Sequence, residues 1–178
     1  MVITYYRGSH VSQKEQISKH DYVIKCKKAA SQGNVIAQNT LGFLYLNGQG
    51  VSSDYKEAVK WFKKAAEQGY DAAEFNLAIM YKLGQGVELD LPESFKWLQS
   101  AAAKGYADAQ YSLGNMYFQG DELKQDYVKA YMWWLLAESN GAKDINHNKE
   151  AGAAKMSKAE LQEADRLAKA WQSQHGNG

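Results

Sequence analysis

Cysteine, proline and histidine are scarce in this chain, and each shortage excludes a class of structure. The single cysteine, Cys26, cannot form an internal disulfide, and without a neighbouring histidine or second cysteine it predicts a small buried side chain. One proline in 178 residues leaves room for long helices. The histidines lie far apart and lack the spacing of a zinc site, so we predict no metal and no cofactor: His10, His20, His147 and His175.

The chain has no excess of charge and no long apolar run. Lysine and arginine number 21 against 20 acidic residues, and the net charge of +1 provides no global attraction for a polyanion. Lysines alternate along the sequence with acids and amides, so we predict no nucleic-acid partner and, from the apolar runs, no membrane insertion. No signal peptide begins the chain as given, which predicts a cytoplasmic protein, or a periplasmic one if a signal peptide has been removed.

Strand signals and catalytic constellations are also nearly missing. The run Val2–Tyr6 is the one short β-type segment, whereas alanine, lysine, leucine and glutamate favour helix throughout. No arrangement of serine, histidine and aspartate, and no carboxylate pair, suggests an active site. The sequence predicts an all-α protein that is not an enzyme.

A period of 36 residues runs through the sequence. Trp61, Trp97 and Trp133 are 36 residues apart. Five further columns share this interval: Gly33, Gly69, Gly105 and Gly141; Leu41, Leu77 and Leu113; Tyr45, Tyr81 and Tyr117; Asp54, Asp90 and Asp126; Ala65, Ala101 and Ala137. Six columns with one period predict stacked helix pairs, because one pair alone cannot bury its apolar stripe. The recurring tryptophans are interpreted as core residues between successive helices.

Each repeat is expected to hold a first helix, a glycine-containing turn and a second helix. Small residues recur within the first helix and predict that a neighbouring helix approaches closely there: Gly42, Ala78 and Gly114. The three aspartates of the repeat are predicted to cap the second helices. Glu57 and Glu93 follow two of them at the spacing of a capping box.

The two ends depart from the repeat, as the ends of a solenoid do. Residues 12–32 predict a lone second helix that starts at a Ser12/Glu15 box, with an apolar side made of Tyr22, Ile24, Cys26, Ala29 and Ala30. A last helix is predicted after a Ser157/Glu160 box, with a stripe of Leu161, Ala164, Leu167, Ala168 and Trp171. We therefore divide about nine helices into residues 1–34, an N-terminal segment and capping helix; 35–141, three repeats; and 142–178, C-terminal capping helices and tail.

The repeating unit resembles the Sel-one-like repeat (SLR), a branch of the tetratricopeptide-like superfamily. It spans residues 37–69, 73–105 and 109–141, with Ala78, Ser94 and the segment 120–123 as departures. The tail resembles the way bacterial members end. The resemblance implies a right-handed α–α superhelix of about three full 36-residue repeats with a capping helix at each end.

What the resemblance implies about function is a protein-binding adaptor or scaffold. In such solenoids the first helices line the concave face, and by analogy twelve residues point into it: Asn39, Phe43, Leu46, Asn47, Phe75, Ile79, Lys82, Leu83, Tyr111, Asn115, Phe118 and Gln119. One interpretation is a groove with aromatic anchors for a peptide or protein. The other is that part of this set packs between adjacent first helices or is covered by the N-terminal segment.

Two further functions stay open from the resemblance. Some bacterial members resemble immunity proteins that neutralise secreted type VI phospholipase effectors, and a few have been suggested to be hydrolases. The first alternative predicts one tight protein partner. The second would require convergent acid, base or metal ligands, which the sequence does not supply.

Overall fold

The computed structural model describes residues 13–120 and 123–175, with side chains from residue 19 onward. The described residues form nine helices and no strand, which confirms the all-α prediction for them. The helices are α1 (Gln13–Ser31), α2 (Val35–Asn47), α3 (Tyr55–Ala66), α4 (Asp71–Leu83), α5 (Leu91–Ala103), α6 (Ala107–Gln119), α7 (Tyr127–Ser139), α8 (Asn146–Ala153) and α9 (Lys158–His175). The run at residues 2–6, His10 and the Ser12/Glu15 box lie outside the described side chains.

The helices stack in the order of the sequence. α2 with α3, α4 with α5, and α6 with α7 form three pairs, and each pair packs on the next through the contacts of α3 with α4 and of α5 with α6. α1 packs on α2, while α8 and α9 both pack on α7. Each element thus buries its stripe against its neighbours, as a repeat array requires.

The turns follow the predicted chemistry. Every first helix ends at a glycine in the left-handed region, with φ of 65° at Gly48, 63° at Gly84 and 78° at Gly120. The second helices begin at the three aspartates of the repeat. Asp54 Oδ1, for example, accepts hydrogen bonds from the backbone N–H groups of Lys56 and Glu57 at 2.9 and 3.1 Å.

The glutamate half of the predicted capping boxes was wrong. Glu57 and Glu93 do not reach back to the aspartate N–H but form ion pairs with Lys60 and Lys96, at 2.8 and 3.2 Å. The aspartate N–H is already used, because each second helix starts beside the last turn of the first: Asp54 donates to the Tyr45 carbonyl at 2.9 Å, and the other repeats do the same. The box before α9 is complete, since Ser157 N–H donates to Glu160 Oε2 at 2.7 Å and Glu160 N–H donates to Ser157 Oγ at 3.3 Å.

The small residues of the first helices receive the largest buried side chains of the second helices. A Cβ added to Gly42 would lie 2.5 Å from ring carbons of Phe62, and one added to Gly114 would collide with the Trp134 indole. In the middle repeat the equivalent pair is Ala78 and Leu98, both buried in one cluster. A smaller side chain on the second helix thus accompanies a larger residue on the first, as close packing demands.

One departure from the repeat has a direct role in the middle pair. Ser94 stands where the other repeats have alanine, and it is buried. Its Oγ donates a 2.7 Å hydrogen bond to the carbonyl of Ala78, so its hydroxyl is satisfied where the two helices approach closely.

The tryptophan column is less uniformly buried than predicted. Trp133 is 7% exposed, but Trp61 and Trp97 are only half-buried. Trp133 owes its burial to the last helix, since Trp171 lies against it with ring centroids 4.9 Å apart. The deepest tryptophan is its neighbour Trp134, which lies outside the repeating tryptophan column.

The apolar side predicted for α1 was also partly wrong. Tyr22 and Ile24 are each 52% exposed, and the buried residues are Val23, Cys26 and Ala30. Spacings of three and four residues place those three on one helical face, which Tyr22 and Ile24 do not share. Cys26 is buried and free of any disulfide, as predicted.

Amide side chains connect the repeats, and two of them, Gln38 and Gln110, are buried. Gln38 Nε2 donates to the carbonyl of Ala30 at 3.1 Å, and Gln68 Nε2 donates to Gln38 Oε1 at 2.6 Å. In the third repeat the same pair of contacts is made by Gln110 and Asn140, at 3.0 and 2.9 Å. Each glutamine thereby satisfies a carbonyl near the end of the preceding second helix.

The middle repeat replaces this amide pair with an ion pair. Glu74, which is 3% exposed, contacts Lys104 Nζ at 2.6 Å and accepts a 3.0 Å hydrogen bond from Ser100 Oγ. Its second carboxylate oxygen is buried without a hydrogen-bond partner. Lys104 Nζ also donates to the carbonyl of Gly69 at 2.9 Å. The buried carboxylate therefore depends on a single cation.

The glycine contact predicts a non-additive pair of substitutions. Gly42→Ala should lower the free energy of unfolding by about 1–3 kcal/mol through overpacking against Phe62. In a Phe62→Leu background, which copies the Ala78/Leu98 pair, the same substitution should cost less by about 1 kcal/mol or more. Urea denaturation of the four proteins measures the coupling, and equal effects of Gly42→Ala in both backgrounds would contradict the contact.

The ion pair predicts a second pattern in the same assay. Lys104→Met should lower the free energy of unfolding by about 2 kcal/mol, less than for a fully buried pair because the Lys104 side chain is 39% exposed. The combination Glu74→Gln with Lys104→Asn copies the third repeat and should stay within about 1 kcal/mol of the unsubstituted protein. A double variant as unstable as Lys104→Met would show that the repeats are not interchangeable here.

Candidate functional site

The twelve residues predicted to face the concave side occupy equivalent positions on α2, α4 and α6. Four come from each helix, at spacings of four, seven and eight residues from the first, which places them on one helical face. We call this set the first-helix face: Asn39, Phe43, Leu46, Asn47, Phe75, Ile79, Lys82, Leu83, Tyr111, Asn115, Phe118 and Gln119. The structure divides it into residues used in packing and residues open to solvent.

The row formed by Asn39, Phe75 and Tyr111 makes contacts inside the protein. Asn39 is 8% exposed, and its Oδ1 accepts a 3.0 Å hydrogen bond from Asn76 on the next first helix. Tyr111 is half-buried, and its hydroxyl accepts a 2.9 Å hydrogen bond from Asn148 of α8. The side-chain atoms that would bind a partner are thus already engaged.

Phe75 belongs to the same row and packs beside a half-buried tyrosine. Its ring centroid lies 5.3 Å from that of Tyr106. Burial raises the pKa of the Tyr106 hydroxyl, and the nearby carboxylates of Asp108 and Asp71 raise it further. Phe75 therefore lies beside a partly apolar environment in which the negatively charged form of Tyr106 is disfavoured.

The next row consists of Phe43, Ile79 and Asn115. Phe43 is open to solvent, whereas Asn115 is hydrogen-bonded within the protein. Phe43 is 40% exposed and rests edge-on against Phe62, with centroids 5.4 Å apart. Ile79 is half-buried. Asn115 Oδ1 accepts hydrogen bonds from Trp134 Nε1 at 3.1 Å and from Asn148 Nδ2 at 2.7 Å.

Exposure increases toward the C-terminal ends of the first helices. Leu46, Lys82 and Phe118 are half-buried, and Phe118 has Tyr127 and Trp134 as ring neighbours, each at 5.5 Å. The last row is exposed: Asn47, Leu83 and Gln119. Leu83 is 54% exposed, unusually open for leucine.

Five members of the first-helix face present surface to solvent and take no part in the hydrogen bonds between helices described above. We call them the open strip: Phe43, Asn47, Ile79, Leu83 and Gln119. The strip crosses the three first helices near their C-terminal ends, with apolar residues on α2 and α4 and an amide on α6. It carries no charged side chain itself, and Lys82 lies at its edge.

Sequence reasoning missed the residues that close the remaining part of this face. Asn76 and Asn148 were not predicted to contribute, although Asn39 with Asn76 and Tyr111 with Asn148 are both 37 residues apart. A contact between adjacent first helices must join positions separated by about one repeat. A search for polar pairs one residue further apart than the period could therefore have found both. The alternative cover, the N-terminal segment, lies outside the described residues.

Other kinds of site find little support in the described structure. Within residues 13–120 and 123–175, no group of three or more potential metal ligands comes together. A cavity of about 590 Å³ lies between α1 and the loop at residues 48–52, where Lys19 and His20 are its ionisable lining residues. Over that same part of the chain no helix is long and apolar enough to cross a bilayer.

Comparison with known families gives a direct result. Three Sel1 repeats, the SLR unit described above, match residues 35–70, 71–106 and 107–141. The chain belongs to the Sel1 repeat family. Proteins with Sel1 repeats generally mediate protein–protein interactions, and the repeat is a non-catalytic interaction fold.

Solved structures of Sel1 repeat proteins are similar to this one. A Sel1 repeat protein from Oxalobacter formigenes is 30% identical, with a TM-score of 0.67, over 76% of this chain and 57% of that one. A protective antigen with an SLR fold from uropathogenic Escherichia coli strains is 25% identical, with a TM-score of 0.65, over 91% of this chain and 45% of that one. The chain thus spans about half the length of these relatives, and no curated protein matches it.

Proposed function

We propose that this Sel1 repeat protein is an adaptor that binds a peptide or protein partner along the open strip. The observation that carries the proposal is the exposure of Phe43 and Leu83, at 40% and 54%, on consecutive first helices. Large apolar side chains that are open at the same end of adjacent helices form a patch of the kind that partners cover. Asn47 and Gln119 supply hydrogen-bonding groups at its edges.

Packing supports this location over the full first-helix face. Asn39, Tyr111 and Asn115 make hydrogen bonds within the protein, so a partner would have to break those bonds to use them. In the open strip the apolar side chains of Phe43, Ile79 and Leu83 demand no such exchange, while Asn47 Nδ2 already donates to the Phe43 carbonyl of its own helix at 3.1 Å. Leu46, Lys82 and Phe118, which are half-buried, extend the proposed contact along one side.

Surface substitutions should separate binding from folding. The variant Phe43→Asp/Leu83→Asp should weaken binding of peptides selected from a random display library by at least about tenfold, because hot-spot aromatic and aliphatic anchors carry most of the binding energy. Titration of the selected peptides by fluorescence anisotropy measures this, with circular dichroism to confirm the helical content.

The matched control is Ile36→Asp, a substitution of a 60% exposed apolar residue at the opposite end of α2. It should leave peptide affinity within about twofold of the unsubstituted protein. Equal affinity of the peptides for the double variant, or equal weakening by the control, would refute the open strip as the binding surface. The inhibitor alternative stays a prediction that no described contact favours.

A further inference from the structure

Lysine is concentrated on α1, the helix before the first repeat, and on α3, the second helix of the first repeat. Their sequences hold nine lysines and three acidic residues, a net charge of +6 in a chain whose net charge is +1. The rest of the chain consequently has a net charge of −5 (+1 minus +6). The near-neutral total thus conceals a strong separation of charge along the solenoid.

The fold brings these lysines together. Trp61 of α3 packs against the cluster that contains Val23, Cys26 and Ala30 of α1 and residues of α2, so α1 and α3 contribute to one apolar cluster around α2. Along the sequence the lysines are separated by acids, amides and a whole helix, and the stacking gathers them. Six exposed lysines of the two helices form what we call the lysine patch: Lys27, Lys28, Lys56, Lys60, Lys63 and Lys64.

Two half-buried aromatic rings lie next to lysines of this patch. Lys27 Nζ of α1 lies 5.4 Å from the centroid of Tyr45, and Lys64 Nζ of α3 lies 4.4 Å from that of Trp61. The pKa of Lys60 is raised, first by its hydrogen bond to Glu57 and also by the nearby Tyr45. Lysines from both helices therefore approach the same tyrosine.

The repeat itself does not require Lys63 and Lys64, the lysines at the end of α3. One repeat later, the positions of Lys63 and Lys64 hold Gln99 and Ser100, and in the third repeat they hold leucines. Basic residues at a helix C-terminus stabilise the helix dipole, but α5 and α7 have none in their last turns. Helices α5 and α7 thus form without basic residues in their last turns. The fold therefore does not require the positive charge at this end of α3.

We propose that the lysine patch binds a short acid-rich segment of a partner protein. Charge complementarity is the attraction, and the small size of the patch sets the length of the segment. α3 has 12 residues and is about 18 Å long, which limits the segment to about six extended residues. A polynucleotide or an anionic membrane would extend past this limit over the net negative remainder of the chain.

This site lies on the second helices and is separate from the open strip of the first helices. An adaptor with both surfaces can hold two segments of one partner or two different partners. The two proposals fail independently, because Phe43→Asp/Leu83→Asp should leave binding at the lysine patch unchanged.

A labelled oligoglutamate of about six residues, which extends over about 20 Å, is the probe. Its binding at low ionic strength should weaken at least about tenfold in Lys63→Glu/Lys64→Glu and fall as salt is added. The variant Lys27→Glu/Lys28→Glu tests the other helix and should show a similar loss. Circular dichroism checks that each variant keeps its helical content.

The matched control is Lys143→Glu/Lys155→Glu, which makes the same change in net charge at exposed lysines outside the patch. It should leave oligoglutamate affinity within about twofold. An equal loss in this control, or no binding of oligoglutamate by the unsubstituted protein, overturns the proposal. Tighter patch-dependent binding of a single-stranded oligonucleotide or of phosphatidylserine vesicles overturns it as well and identifies a phosphate-bearing occupant instead.

Discussion

The close contact between a small residue on each first helix and a large one on its second helix is the constraint on which the rest of the structure depends. Gly42 meets the Phe62 ring, and Gly114 meets the Trp134 indole, at distances that no added methyl group would fit. This contact fixes how closely the two helices of a pair approach. It thereby fixes which residues of the first helix remain outside the contact between the two helices and open to solvent.

The surface available for binding is what this packing leaves over. Hydrogen bonds of Asn39 to α4 and of Tyr111 to Asn148 of α8 occupy one row of the first-helix face, and Asn148 also bonds to Asn115 in the next row. The open strip lies beyond that row, toward the C-terminal ends of the same helices. The lysine patch depends on stacking in a different way, since its lysines lie on α1 and α3, which share one apolar cluster around α2 and both approach Tyr45.

The 36-residue period was enough to predict the helix pairs, their glycine turns and their aspartate caps, because each is a local requirement that recurs. The sequence could not tell which tryptophan is deepest. Trp133 is buried by Trp171 of a later helix, whereas the ring of Trp61 has Lys64 Nζ of its own helix at 4.4 Å from its centroid and stays half-buried. Nor could it divide the first-helix face, since the burial of Asn39 depends on a neighbour 37 residues away.

The central claim, that a partner contacts the open strip, is tested most directly by methyl NMR of the protein with a bound selected peptide. The largest chemical-shift changes should fall on the methyl groups of Ile79 and Leu83, with smaller changes at Leu46. Changes concentrated on Ile24 and Leu135 of the second helices, with Ile79 and Leu83 unaffected, would contradict the account.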